Sequence, residues 1–261
     1  MTNYLILLPT SENKKKGGDE SQPYRVVENL KKYNSFIKLQ FDREEIYNKL
    51  REAINELEEG ELEKIFEIKE KNLQNAIELI SDLLNSPTKM AISRFDGTMF
   101  KSINYEKLDL AQKDNFNESV IFIDSLFGLL RPEDLIPEYK LKISSKFLDL
   151  DVVKFWENRL SSLFDVLFRE KLVIDILPEN HRKIITKTSA KEYLEISFVD
   201  NLNGKIKQAG HNSKILKGEI VDYIVSRNNL TREYLQEFSH SLGYNYSQEL
   251  SNKEKIVYLK Y

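Results

Sequence analysis

The chain contains no cysteine among its 261 residues. That absence removes disulfides, thiolate catalysis, cysteine-ligated zinc and iron–sulfur clusters together. Histidine is scarce: His181, His211 and His240 lie far apart in sequence, and no spacing supports a metal site. Nine glycines and six prolines are too few for a fibrous or disordered chain. No apolar run approaches the roughly 20 residues of a membrane span. The N-terminal "YLILL" is short and carries its charges after the apolar run, unlike a secretory leader. A soluble, cytoplasmic protein without a membrane partner is expected. An excess of positive charge is missing too: the net charge is −3. Nucleic-acid contact therefore requires a local basic cleft. Phosphate-loop, dinucleotide, zinc-protease and nucleophile-elbow motifs are all absent, and no cofactor is implied.

What is present is a chain with 41% hydrophobic residues, enough to bury a core. "YLILL" (Tyr4 to Leu8) reads as a buried strand that runs into the polar, glycine-containing loop "PTSENKKKGGDES". Residues 26 to 84 read as a helical excursion, with Asp42 and Glu45 as an acidic capping box before Ile46, Leu50, Ile54 and Leu57. A second stripe, Leu73, Ile77, Ile80 and Leu84, stops at "NSP". "VIFI" (Val120 to Ile123) and "LVIDI" (Leu172 to Ile176) are buried strands, and "KIVYLKY" is the last one. Between them Asp151 caps a helix with a wide apolar face, on which Trp156 is a core residue. Asn203-Gly204 turns a hairpin, a helix starts near Ser213, and Thr231 caps a short helix ending near Gly243. Strands and helices interleave throughout, so a single α+β (mixed α/β) domain over 1–261 is expected, as a monomer.

Two stretches favour anions. Lys205, Lys207, Lys214 and Lys217 lie with His211 in a run free of acidic residues. Lys214 and Lys217 share a face near a helix N-terminus, where free N–H groups also attract anions. "SENKKKGG" brings Ser11, Glu12 and Lys14. In "SLFGLLRPEDLIPEYKLKI", Pro132 fits the first position of a short helix "PEDLI", and Arg131 is a fork donor for carboxylate or phosphate. The alternative is that Arg131 pairs with Asp134 or Glu138.

"DSLFGLLRPEDLIPEYKLKI" resembles the central signature of the YaaA family of bacterial peroxide-stress-resistance proteins. Phe127 takes a tyrosine place, Glu138 is an extra residue, and Lys140 takes an arginine place. "LLPTSENK", "AISRFDGTMF", "KFWEN", "VIDILPENH" and "FVDNLNGKIKQAGHNSKILKG" follow in the family's order, so the resemblance spans nearly the whole chain. It implies a single-domain fold of mixed helix and strand with a basic cleft. It also implies DNA binding, a helix-hairpin-helix-like element placed at Phe127 to Leu135, and control of free iron and oxidative DNA damage during peroxide stress. Arg131, Lys140, Lys205, Lys207, Lys214 and Lys217 would then touch phosphates, with Lys14 at the rim. The alternative is an enzyme acting on a nucleotide-like or other anionic small molecule, with Glu12, Lys14, Asp175 and His211 as catalytic candidates. An iron site built from carboxylates and His211 is a third reading.

Overall fold

The computed structural model describes residues 2–186, 189–210 and 212–261. It begins with β1 (Tyr4–Pro9) and passes through β2 (Asp19–Pro23) into α1 (Tyr24–Val27), α2 (Gln40–Glu56), α3 (Glu59–Phe66) and α4 (Lys71–Ser81). Then come β3 (Pro87–Met90), α5 (Ala91–Arg94), α6 (Thr98–Ile103), α7 (Leu110–Ser119) and β4 (Val120–Asp124). Four short strands, β5 (Gly128–Leu130), β6 (Leu135–Ile136), β7 (Lys146–Phe147) and β8 (Leu150–Asp151), lead to α8 (Val152–Phe168). The remainder comprises β9 (Leu172–Asp175), α9 (Glu179–Arg182), β10 (Glu192–Leu202), β11 (Lys205–Gln208), α10 (Asn212–Val225), α11 (Arg232–Gln236), β12 (Asn245–Tyr246) and β13 (Lys255–Lys260).

The main sheet is mixed, in the order β12-β13-β10-β9-β1-β4-β5, and the chain forms one α+β fold around it. Strands β4, β1, β9, β10 and β13 are parallel, with antiparallel β5 and β12 at the edges. The central strands are near-continuous apolar runs because both faces are covered: Leu5 to Leu8 and Val120 to Ile123 are all buried. Numbered along the chain, the parallel strands stand 2-1-3-4-5. The path leaves β1 on one side toward β4, then returns past it to β9. Such a reversal opens a crevice at the carboxyl ends of the two strands flanking it, here β1 and β9.

Strand β10 outlasts β9. It pairs with β9 only from Glu192 to Glu195, then with β13 from Glu195 to Asp200 and with β11 from Val199 to Leu202. Because β13 occupies one edge there, β11 lies on the edge that β9 has vacated. The β10–β11 hairpin is thus an arm projecting past the carboxyl end of β9. Its two-residue turn has Asn203 at φ 54° and Gly204 at φ 82°, as a type I′ turn demands.

The helical region shares the core with the sheet: Ile46, Leu50, Phe66, Leu73 and Ile80 belong to the same buried cluster as Leu7 and Phe122. Expected features appear at Asp151, which accepts the Lys154 N–H at 3.2 Å, and at Thr231, which accepts the Tyr234 N–H at 3.2 Å. Trp156 is fully buried and donates to the Ser125 carbonyl at 2.8 Å. The Asp42–Glu45 capping box is overturned. Helix α2 starts earlier, at Gln40, with no side-chain cap. Both carboxylates instead hold Arg159 of α8, at 2.9 and 2.8 Å. The reciprocal boxes belong to Glu58 with Glu61 and to Asp109 with Gln112.

"PEDLI" is also not a helix. Residues 131 to 136 make a turn and then β6. The Asp134 carboxylate accepts the Arg131 N–H at 2.8 Å and the Ser35 N–H at 2.7 Å, a long-range contact that outweighs the local helix signal. Phe127 to Leu135 is therefore strand, turn and strand, and the helix-hairpin-helix-like element expected there is absent from that stretch.

Candidate functional site

Three parallel strands deliver their loops to one place. Beyond β1 comes Thr10 to Lys14, beyond β4 the Ser125 to Gly128 turn, and beyond β9 Ile176 to His181. Between them lies a cavity of about 340 Å³ lined by Ser11, Glu12, Ser125, Lys142 and His181 among others.

The β4 end is organised by Asp124, which is fully buried. One carboxylate oxygen accepts the Leu126 and Phe127 N–H groups, both at 2.9 Å. The other accepts the Tyr139 hydroxyl. Burial, then the Asp124 charge, push the Tyr139 phenol well above its ordinary range, so it stays a donor. The turn after Asp124 is locked from behind. Arg43 of α2 donates to the Phe127 carbonyl at 3.0 Å and to the Leu129 carbonyl at 2.8 Å. Gly128 has φ 69°, and a Cβ there would stand 2.6 Å from the Trp156 ring. Only glycine satisfies both constraints.

Lys14 lies against this assembly. Its ammonium sits 3.8 Å from the Tyr139 ring centre and donates to the Ser11 carbonyl at 3.2 Å. Burial lowers its pKa to about 8; Asp124 opposes the shift, while Lys140 and Arg94 add to it. Arg94 pins the loop that carries Lys14. It is fully buried and donates to the carbonyls of Lys15 at 2.5 Å, Gly17 at 2.8 Å and Pro87 at 2.9 Å. Glu12 is more than half exposed and faces Lys142 at 3.3 Å and Lys140 at 3.9 Å. Glu67, at the end of α3, holds the same Lys142 ammonium at 2.5 Å. The helical region thus closes one side of the crevice.

At the β9 end the design repeats with a different outcome. Asp175, fully buried, accepts the Leu177 N–H at 2.7 Å, the Tyr193 hydroxyl at 2.9 Å and the Arg182 guanidinium. Its carboxylate is occupied, so it is not a free catalytic group. Nearby, Lys217 of α10 donates to the Ile176 carbonyl at 3.0 Å. Burial lowers the Lys217 pKa against the pull of Asp175. His181 lines the cavity with a buried Nδ1 that has no hydrogen-bond partner among the described residues. Burial lowers its pKa to about 4, so at neutral pH it is an uncharged imidazole.

The fold therefore brings together Ser11, Glu12, Lys14, Lys140 and Lys217 of the residues singled out from sequence, with Asp175 beneath them. Lys205 and Lys207 lie exposed on the arm, and Lys214 exposed on the first turns of α10. Arg131 is placed elsewhere. Strand β5 runs antiparallel to β4, so the residue after Leu130 sits at the opposite end of the sheet. There its guanidinium donates to the carbonyls of Glu118 at 2.8 Å and Val120 at 3.0 Å, closing the end of α7. His211 lies outside the described residues. Among the described residues, no three His, Asp or Glu side chains are grouped in a way that could hold a metal ion. Sequence reading missed Asp124, Tyr139, Lys142 and His181. One signal was available: "VIFID" and "LVIDI" both place an aspartate late in a buried run, beside the crevice.

Comparison with known proteins matches the same span. A UPF0246 protein of Finegoldia magna is 30% identical over 204 residues, covering 77% of this chain and 81% of that protein. One from Rickettsia conorii is 27% identical over 217 residues, covering 82% and 87%; one from Rickettsia bellii is 26% identical over 220 residues. The family model described as peroxide stress protein YaaA matches residues 4–250. The chain belongs to that peroxide-stress family.

Proposed function

We propose that this chain serves peroxide-stress defence by binding DNA through its phosphates, limiting oxidative DNA damage and free iron. The observation that carries the reading is the clustering of cations at one end of the sheet. Lys14, Lys140, Lys142 and Lys217 surround the crevice, and Lys205, Lys207 and Lys214 extend it along the arm and α10. Glu12 and Glu67 neutralise only Lys140 and Lys142. A net charge of −3 then matters little, because the phosphate backbone meets the local field first. Exposed lysines position a backbone without reading sequence, so low sequence specificity is expected. The test is fluorescence anisotropy of a labelled duplex across a salt series. Log affinity falls with log salt by about 0.9 per phosphate contact, so the three exposed lysines alone give a slope near −3. Binding that ignores salt would sink the reading.

A second reading, an enzyme acting on a nucleotide-like or other anionic small molecule, is supported by the crevice itself. About 340 Å³ suits a small molecule. A neutral, unpartnered His181 is better suited to accept a proton than Glu12, which is exposed and ion-paired. In this reading Lys14, with its lowered pKa, and Lys142 hold the anion. Turnover that survives His181→Asn unchanged would remove the assigned base.

A further inference from the structure

Among the described residues β11 pairs with β10 alone, and Lys205 to Gln208 are all exposed. The pairing of β10 with β13 ends at Asp200 opposite Lys260, and its pairing with β9 ends earlier, at Glu195. Residues 201 to 206 therefore stand clear of both neighbours, a tip that reaches roughly 10 Å past the sheet.

The two faces of this arm differ. Opposed residues of an antiparallel pair share a face. Asp200, Leu202, Lys205 and Lys207 lie on one side, and Val199, Asn201, Ile206 and Gln208 on the other. The first side is also that of α10: Phe198, two residues before Asp200, packs on Phe238, which packs on Tyr223 of α10. Lys205, Lys207 and the exposed Lys214 thus lie on one side of the sheet. Asp200, the carboxylate among these arm residues, accepts the Tyr244 hydroxyl at 2.6 Å.

Beside the turn, two apolar side chains stand in water: Leu202 is 53% exposed and Ile206 47%, one on each face of the ribbon. Lysines resting on phosphates from outside a duplex would leave both there. Pairing of β11 with the β11 of a second copy would cover them, but it would gather Lys205 and Lys207 of both copies along one junction. A partner with anionic rims and apolar groups between them suits lysines and aliphatic side chains together. The DNA major groove has phosphates along its edges and thymine methyl groups inside, and at about 12 Å wide and 8.5 Å deep it admits a two-stranded ribbon.

We propose that the β10–β11 arm enters the major groove of a DNA duplex. Lys205 and Lys207 meet the phosphates at the groove edge, Leu202 and Ile206 lie against base edges, and Lys214 holds the adjoining backbone. This placement rests on the DNA-binding reading above and says which part of the duplex the protein enters.

Fluorescence anisotropy of the full chain with two duplexes of one sequence tests it without any variant. In one duplex the cytosines are plain; in the other each carries a neutral glucosylated hydroxymethyl group at C5, which fills the major groove and leaves the phosphates unchanged. The filled duplex should bind about tenfold more weakly or worse. Netropsin, which fills the minor groove, should leave binding to the plain duplex unchanged. Lys205→Gln with Lys207→Gln should make the salt slope shallower by about 2. Leu202→Ser with Ile206→Ser should weaken the plain duplex a few-fold and leave the salt slope as it was. Equal, salt-dependent affinity for the two duplexes overturns the groove placement while the DNA-binding reading stands; no binding to either removes both. A dimer in sedimentation that the double serine variant abolishes, with DNA affinity unchanged, overturns the placement in favour of a second copy.

Discussion

The two strand-end aspartates, Asp124 and Asp175, are built alike and used differently. Each ends a buried parallel strand, each takes a backbone N–H from the turn that follows, and each takes a tyrosine hydroxyl. Asp175 also has a guanidinium bonded to it, from Arg182, and is thereby closed. Asp124 has no guanidinium bonded to it among the described residues; the Lys14 ammonium lies in its field and hydrogen-bonds a carbonyl instead. A bonded pair is fixed structure. A cation held near a carboxylate, desolvated but not bonded to it, remains free to answer an incoming anion. The same local design therefore carries a bonded guanidinium at β9 and no bonded cation at β4 among the described residues.

The largest expected effect comes from removing the cation at the closed end. Arg182→Leu removes the bonded cation from the buried Asp175 carboxylate and should cost about 3–5 kcal/mol in urea unfolding. The matching change at the open end, Lys14→Leu, should alter stability by less than about 1 kcal/mol, because it removes a desolvated charge and leaves the hydrogen bonds of Asp124 in place. Equal costs at the two ends would break the comparison. Between these lies Gly128→Ala, which combines a left-handed backbone with a clash on Trp156. It should cost about 2–4 kcal/mol and loosen the turn that carries Ser125.

The smaller effects are pH-dependent. The pKa of Lys14 is lowered from 10.5 to about 8 on folding, so between those values the unfolded chain binds the extra proton. Wild type should gain stability relative to Lys14→Leu as pH rises from about 8 toward 10.5. The pKa of His181 is lowered from 6.5 to about 4. Wild type should therefore lose stability relative to His181→Asn as pH falls across that window. Unfolding curves of each pair over the pH range show whether the slopes have these signs.

Much of the scaffold was legible because it follows from local pattern. The apolar runs at Tyr4, Val120 and Leu172, the Asn203-Gly204 turn and the caps at Asp151 and Thr231 need only neighbours in sequence. Part of the candidate crevice lies where local pattern pointed: a strand running into a polar loop marked Glu12 and Lys14, and the basic run marked Lys217. What failed was decided by partners far away. Asp134 is taken by Ser35, so "PEDLI" cannot begin a helix. Arg131 finds carbonyls that antiparallel pairing of β5 with β4 brings beside it. Asp42 and Glu45 are drawn to Arg159, more than a hundred residues on. The pairing of Asp124 with Tyr139, and the closing of the crevice by Glu67, depend on how separate loops fold back, which no local spacing records.

The most direct test of the open-end account is the ionisation of Lys14, followed by NMR of carbon-13-labelled lysine side chains. It should titrate near 8 in the free protein and move upward when a phosphate-bearing oligonucleotide saturates the crevice, since an anion favours the charged ammonium. A Lys14 that titrates near 10.5 in the free protein, or that does not move at saturation, would contradict it.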